Sequence, residues 1–275
     1  MPTYRVQDAR APPENQEFVR IPRRRDVFLE TLALSVTTVL LVVNGVFSLF
    51  SWWGDSASLG MGRSGTRESL TQRFSVTPFA PASWTYAAWS VVFASQFAVL
   101  GHAWSYACRQ KVERASSPLL YPVLCLAYLV NVGYVYAVGH SAAELSLALI
   151  SVEALASCVC VAVVAVSLRW KETGLADLGP FDKWYTRLIS LNALSLSAAW
   201  TLTCVLFHIS SVLSEDSNLH EETIATCLLS LLGAATVSYF LLEATILDRY
   251  LRFVYIVCPI VVWWLGGVLA RQWDW

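Results

Sequence analysis

Five polar side chains lie deep inside apolar stretches of this sequence: Asn44, Gln96, Asn131, Glu153 and Asn192. A carboxyl group about three turns into an apolar helix must pair, stay protonated or face water. Glu153 is therefore a candidate for a proton relay or for contact with a ligand. For Asn131 and Asn192 two interpretations remain open, since a buried amide either bonds to a neighbouring helix or lines a pocket.

The sequence contains few residue patterns typical of catalysis or metal binding, and we predict neither a catalytic nor a metal site. His208 has no carboxylate at helical spacing, which weakens a three-histidine metal site. All seven cysteines fall inside or at the ends of apolar runs, which favours small apolar roles over disulfides or zinc. An enzyme remains an alternative: a membrane-embedded protein that modifies lipids or terpenes, with Glu153 and Glu243 as its acids.

The twelve tryptophans are the second notable set of side chains. Most lie near the ends of apolar stretches, as in the aromatic belt at a membrane interface. Trp200 instead lies in the middle of a serine- and threonine-rich run, where a buried indole needs a partner or lines a cavity. Trp84 and Trp89 are five positions apart and point in different directions on a helix, so we expect only one to face a pocket fully.

The elements that position these residues follow from composition. The chain of 275 residues is 56% hydrophobic and 14% charged, against about 25% charged in ordinary globular domains. Its net charge of −1 gives no support to nucleic-acid binding. Apolar windows predict an all-α polytopic bundle with about seven transmembrane helices. The predicted spans are 28–50, 82–107, 119–139, 142–168, 186–213, 222–247 and 251–270.

Basic residues indicate the orientation of this bundle. With the N-terminus in the cytoplasm, fifteen lysines and arginines fall on the cytoplasmic side and four on the other. This asymmetry predicts a cytoplasmic N-terminus and a C-terminus on the opposite side. The domains are then a basic cytoplasmic tail at 1–27, the bundle at 28–270 and a short tail at 271–275. The long loop 51–81 lies outside, either as a lid or as a plain surface loop.

One stretch resembles a known family. Pro81-Ala-Ser-Trp84-Thr-Tyr86-Ala-Ala-Trp89-Ser-Val-Val-Phe93 resembles the proline-led, tryptophan-rich second helix of the TspO/MBR family, the translocator or tryptophan-rich sensory proteins. The larger eukaryotic branch of that family, which has extra helices, is the most similar. Leu129-Val-Asn131, the run from Leu191-Asn192 to Trp200-Thr201, and Glu243 to Arg252 followed by Pro259 and Trp263-Trp264 are similar to further elements of it.

The resemblance implies a function. The five-helix members bind porphyrins and sterols in a bundle pocket beneath their first loop, and the matching positions here are Trp84, Tyr86, Trp89 and Asn131. With the polar and aromatic pattern above, the candidate ligand-binding residues are Trp84, Tyr86, Trp89, Asn131, Glu153, Asn192 and Trp200. We expect a non-enzymatic integral membrane protein that binds or moves a tetrapyrrole, sterol or lipid-like molecule and requires no cofactor. The alternatives are the enzyme above and a seven-helix receptor of inverted topology. The expected partners are the lipid bilayer and a hydrophobic small molecule, with a homodimer left open.

Overall fold

The computed structural model describes residues 24–53, 77–108, 119–140, 142–170, 180–216 and 220–273. Seven helices and no strand are found in these residues. Five of the helices are continuous: α1 Arg24–Trp53, α2 Ala88–Cys108, α3 Leu120–Gly139, α4 Ala143–Trp170 and α7 Val257–Gln272. The other two, α5 and α6, each contain a π-helical turn. Helix α5 joins Pro180–Tyr185, a π-helical turn Thr186–Ser190 and Leu191–Asp216, and α6 joins Glu221–Leu242, a π-helical turn Glu243–Leu247 and Asp248–Leu251. Most of the predicted basic tail 1–27 and of the loop 51–81 lies outside the described residues.

Five of these helices are long and apolar enough to cross a membrane. Their apolar segments are Phe28–Phe47, Leu120–Gly139, Ala143–Leu168, Thr186–Ser214 and Glu221–Leu247. Large apolar side chains such as Val39, Leu155 and Leu241 are exposed on them, as expected of surfaces that face lipid. The chain is thus an all-helical protein consistent with multi-pass integration in a membrane.

The evidence that the other two helices, α2 and α7, cross a membrane is weaker. Helix α2 carries Gln96 and His102 within its apolar sequence and is not among the five. Helix α7 has 16 residues, which at 1.5 Å per residue spans about 24 Å, less than the ~30 Å of a hydrocarbon core. Seven crossings therefore remain a prediction.

Helix α5 is the central helix of the bundle. It packs against α2, α4, α6 and α7, while α3 lies between α4 and α1. Buried small residues on α5, such as Ala193, Ser195 and Ala198, allow this close approach. The serine- and threonine-rich sequence around Trp200 is typical of a helix that packs closely against its neighbours.

The connections between helices differ in how well the sequence predicted them. The predicted tight hairpin between the third and fourth spans is present, closed by a hydrogen bond from Ala142 N to Ala137 O at 3.0 Å. Helix α6, in contrast, continues through the tripeptide 248–250, where the sequence predicted a turn. The chain turns instead at 252–256, and α7 begins at Val257 rather than 251 because the side chain of Asn192 holds the backbone of Phe253 and Tyr255.

Residues 77–87, which we call the strap, run across α7 before α2 begins. The strap ends in a 3-10 turn, Ser83–Ala87, and three hydrogen bonds tie it to α7. Ala82 N donates to Gly267 O at 2.9 Å, Trp263 Nε1 to Thr85 O at 2.9 Å, and Gln272 Nε2 to Pro78 O at 2.7 Å. Neither Gly267 nor Gln272 was identified from the sequence.

A Cβ atom at Gly267 would overlap the side chain of Thr85, so we expect Gly267→Ala to push the strap off α7. Overpacking of this kind lowers the free energy of unfolding by about 1–3 kcal/mol. The measurement is the melting temperature of the purified protein in lipid nanodiscs. Gly266→Ala is the matched control, since nothing lies within 4 Å of a Cβ built there. Thr85→Ala should restore part of the loss in the Gly267→Ala background. Equal melting temperatures for the two alanine variants would contradict the close contact.

Candidate functional site

Five rings meet where the strap, α2, α5 and α7 come together, and we call them the aromatic cluster: Tyr86, Trp89, Trp200, Phe207 and Trp264. Trp200 is at its centre, with ring centroids 5.4 Å from Trp264, 6.0 Å from Trp89 and 6.5 Å from Tyr86. The rings of Trp89 and Tyr86 stand edge-on to that of Trp200, the arrangement that ring quadrupoles favour. Three predicted ligand residues, Tyr86, Trp89 and Trp200, are thus brought together.

Two indole groups in this cluster are buried without a hydrogen-bond acceptor. The side chains of Trp200 and Trp264 have no exposed surface, and the Nε1 atom of each lacks an acceptor among the described residues. A buried donor left in this state costs about 1–3 kcal/mol. Such groups in a native fold call for an explanation, of which an acceptor brought by a bound molecule is one.

Polar residues form a row on the inner face of α3, and we call this row the polar stripe: Tyr128, Asn131 and Tyr134. Side chains three positions apart lie on one face of a helix. Each bonds to a different helix: Tyr128 Oη donates to Gln96 Oε1 on α2 at 3.0 Å, Asn131 bonds to Glu153 on α4, and Tyr134 Oη is 3.0 Å from His208 Nε2 on α5. Neither tyrosine was predicted from the sequence, although a polar or aromatic residue at every third position was the signal.

Asn131 and Glu153 form a closely matched buried pair. Asn131 is 2% exposed and Glu153 is 4% exposed. The Nδ2 atom of Asn131 donates to both carboxylate oxygens of Glu153, at 2.9 and 2.8 Å. Its Oδ1 atom has no donor within the described part of the chain. The deepest carboxyl group of the bundle thus has an amide partner with an unused acceptor.

The polar stripe and the aromatic cluster meet at Tyr134. Its ring lies 6.3 Å from that of Trp89, and its hydroxyl group bonds to His208. The ring of His208 in turn lies 5.3 Å from that of Phe207 in the cluster. Asn131 therefore lies three positions, or about one turn of α3, from the tyrosine that contacts the aromatic cluster.

Two predicted ligand residues lie elsewhere. Trp84 is 44% exposed and stands edge-on to Trp263, with ring centroids 4.9 Å apart. Asn192 precedes Trp200 by eight positions, or about 12 Å along α5. Its Nδ2 atom donates to Phe253 O at 2.6 Å, and its Oδ1 atom accepts from Tyr255 N at 2.9 Å. Trp84 and Asn192 thus hold the strap and the 252–256 turn, and ligand contact by either stays a prediction.

The two carboxyl groups of the enzyme alternative have different surroundings. Glu153 is buried against Asn131, whereas Glu243 is partly exposed in the π-helical turn of α6, with Asp248 as an electrostatic neighbour. No hydrogen-bond partner common to the two is found among the described residues. In the same part of the chain, no group of three histidine, cysteine or acidic residues is arranged to hold a metal ion.

We expect Asn192→Ala to loosen the 252–256 turn, because both ends of the amide bond to its backbone. The expected result is faster hydrogen exchange of the Tyr255 amide and a loss of about 1–3 kcal/mol from the free energy of unfolding. Hydrogen exchange with mass spectrometry measures the first and a thermal melt the second. Ser95→Ala on α2 is the control, since the hydrogen bond of Ser95 Oγ goes to Val92 O of its own helix. Unchanged exchange at 253–255 would show that Asn192 does not hold the turn.

No protein-family model matches this chain, and neither a curated protein nor a solved structure matches it. The resemblance of Pro81 to Phe93 to the second helix of the TspO/MBR family therefore stays a prediction. Geometry and composition show a helical chain, consistent with a multi-pass integral membrane protein, in which an aromatic cluster lies beside a buried polar stripe.

Proposed function

We propose that this protein binds a hydrophobic small molecule against the aromatic cluster, inside the bundle and beneath the strap. The observation that carries the proposal is the pair of buried indole N–H groups of Trp200 and Trp264 without acceptors. Each would gain a hydrogen bond from a ligand that carries an oxygen acceptor. The proposed activity is binding, or binding followed by transfer across the bilayer, and involves no chemical change of the ligand.

The composition of the region supports a largely apolar ligand. Small-molecule sites are mostly lined by hydrophobic and aromatic side chains, with a few polar groups that fix orientation. Here the rings of Tyr86, Trp89 and Phe207 supply apolar faces and edges. The indole groups of Trp200 and Trp264 supply donors, and Asn131 Oδ1 supplies an acceptor on the neighbouring polar stripe. A polycyclic molecule with one polar end suits this combination.

The resemblance to the TspO/MBR family narrows the ligand class. Because Tyr86 and Trp89 are positions carried over from that family, we propose a tetrapyrrole or a sterol as the ligand. A sterol has a hydroxyl group that accepts from one indole and donates to an amide oxygen. A tetrapyrrole carries carboxylates that accept from indole donors, and its plane fits against aromatic rings.

The ligand proposal is tested by titrating protoporphyrin IX and cholesterol into the purified protein in nanodiscs. We expect saturable quenching of tryptophan fluorescence by the porphyrin and a higher melting temperature with at least one of the two ligands. Trp200→Phe removes one donor and should raise the dissociation constant about two- to tenfold, the equivalent of a hydrogen bond worth ~0.5–1.5 kcal/mol. Trp264→Phe should act in the same way.

Trp263→Phe is the matched control for these variants. Trp263 is the sequence neighbour of Trp264, but its indole already donates to Thr85 O, and its ring is partly exposed. It should therefore lower the melting temperature through the strap and change ligand affinity less than Trp200→Phe or Trp264→Phe does. If neither ligand quenches or stabilises the unmodified protein, the binding proposal fails.

We also propose seven membrane crossings with a cytoplasmic N-terminus. The fifteen-to-four division of basic residues supports this orientation. The hydrogen bond between Gln272, at the end of α7, and Pro78, ahead of α2, supports a common face for these two ends. In this topology α2 is a more polar crossing and α7 a short one. Both pack against α5 and the strap, which shield part of their surface from lipid.

Reporter fusions at the two termini test this topology. We expect an N-terminal reporter on the cytoplasmic side and a C-terminal reporter on the opposite side, read by accessibility to a membrane-impermeant label. A third reporter inserted after His140, between α3 and α4, serves as the control and should share the side of the C-terminal one. Termini on the same side would mean an even number of crossings and overturn the proposal.

A further inference from the structure

Two oxygen acceptors without a positive partner lie side by side between α3 and α4. Both carboxylate oxygens of Glu153 accept from Asn131 Nδ2, while Asn131 Oδ1 has no donor among the described residues. Because Oδ1 and Nδ2 belong to one small planar amide, the oxygen lies beside the carboxylate that the nitrogen holds. Gln96, a comparable buried amide, uses both ends: its Nε2 donates to Ala193 O and its Oε1 accepts from Tyr128 Oη. The carboxylate and Asn131 Oδ1 are both acceptors, so neither is able to satisfy the other.

The sequence provides no basic side chain to neutralise this carboxylate. No lysine or arginine occurs between positions 115 and 168 or between 188 and 248, ranges that cover α3, almost all of α4 and the apolar parts of α5 and α6. The buried histidine of α5, His208, bonds to Tyr134 rather than to Glu153. A buried charge left without a partner is strongly destabilising. Glu153 therefore needs either a proton or a positive ion from outside the chain.

Hydroxyl groups of α4 and α5 lie on the same side of this pair. Ser157 follows Glu153 by four positions, which puts the two side chains on one face of α4. Its Oγ atom lies 3.5 Å from Ser197 Oγ on α5, and Ser157 is buried. A hydroxyl oxygen has two acceptor lone pairs, so each serine has one to offer in addition to this long contact. Oxygen atoms from three helices thus lie around one buried negative charge.

This set of atoms suits a hard metal cation of low charge. Carboxylate and amide carbonyl oxygens are the protein ligands that hard cations prefer. One carboxylate balances one positive charge, so a monovalent ion leaves the site neutral. A divalent ion would leave a net charge buried in hydrocarbon, which is costly. Ionisable residues in the interior of membrane proteins pair in this way and mark the positions of ions.

We propose that Glu153 and Asn131, with the hydroxyl groups of Ser157 and Ser197, form an intramembrane site for a monovalent metal cation. The carboxylate and Asn131 Oδ1 bind the ion from α4 and α3, and the serines add ligands from α4 and α5. Asn131 Nδ2 keeps its hydrogen bond to the carboxylate, so the side chain needs no rotation. The bound ion links three helices of the bundle. The site does not depend on the hydrophobic ligand proposed above.

The melting temperature of the full-length protein in phosphatidylcholine nanodiscs tests the site. It is measured in sodium chloride, potassium chloride and N-methyl-D-glucamine chloride at equal ionic strength. We expect sodium or potassium to raise it, in a saturable way, above its value in the organic cation. Equal melting temperatures in the three salts would overturn the proposal.

Glu153→Gln should abolish the effect of the metal ion. Its carbonyl oxygen is still able to accept from Asn131 Nδ2, so the contact between α3 and α4 is kept while the charge is lost. Glu243→Gln is the matched control, since Glu243 lies partly exposed in the π-helical turn of α6 and should not affect the response. A rise in melting temperature that persists in Glu153→Gln would contradict the site.

Ser157→Ala and Ser197→Ala test the hydroxyl ligands and leave the Asn131–Glu153 pair intact. Each should raise the half-saturating concentration of the ion about two- to tenfold, the effect of losing one polar contact. Ser151→Ala is the control on α4, because the hydrogen bond of Ser151 Oγ goes to Leu147 O of its own helix. Half-saturating concentrations unchanged in both Ser157→Ala and Ser197→Ala would overturn the site as described.

Infrared difference spectroscopy distinguishes a metal ion from a proton on Glu153. Addition of the stabilising ion should shift the carboxylate stretching bands, and Glu153→Gln should remove this difference signal. A carbonyl band of a protonated carboxyl group that persists in saturating salt and is lost in Glu153→Gln would show that a proton takes the place of the ion, and would overturn the proposal. All these measurements are made without porphyrin or sterol, so their failure is distinguishable from failure of ligand binding.

Discussion

A polar group buried in the hydrocarbon core finds no water, so it needs a hydrogen-bond partner within the protein. The arrangement of this bundle depends on that constraint. The polar stripe of α3 meets it by sending Tyr128, Asn131 and Tyr134 to three different helices. Those bonds set the depth of α2, α4 and α5 relative to α3. A shift of α4 by one turn would separate Glu153 from Asn131 and leave a carboxylate unpaired in the interior, which is strongly destabilising. Apolar packing alone fixes the position of one helix along another much less strongly, because after a shift one aliphatic contact replaces another.

The backbone of the strap is subject to the same need for hydrogen-bond partners at one end of the bundle. Its backbone atoms lie outside any long helix, so the indole of Trp263, the amide of Gln272 and the carbonyl of Gly267 provide their hydrogen-bond partners. This arrangement also brings Tyr86 and Trp89 onto Trp200 and Trp264. The aromatic cluster thus depends on the contact between α7 and the strap. That contact is close because Gly267 has no side chain that would overlap Thr85.

Hydropathy and charge in the sequence predicted the helical class and most helix boundaries, since both depend on local composition. They could not predict that α6 runs on to Leu251, because the turn that follows is held by Asn192, which lies about sixty positions earlier. For the same reason, the partners of Asn131 and the role of Gly267 were invisible: each depends on a residue far away in sequence. The spacing of Tyr128, Asn131 and Tyr134 was visible, and weighing tyrosine as a polar residue would have revealed the stripe.

The four amide side chains inside the bundle, Asn44, Gln96, Asn131 and Asn192, differ in what their two ends bond to. Gln96 and Asn192 use both ends of their amide groups, and Asn192 does so against backbone atoms that never titrate. Asn44 leaves its oxygen without a donor in the described residues, and its nitrogen bonds to the backbone carbonyl groups of Leu40 and Tyr128, which do not titrate. Asn131 alone among these four combines an unused acceptor with a carboxylate partner. Two amides would hold α3 and α4 together as well, so what sets this contact apart from the other three amides is the titratable group of Glu153.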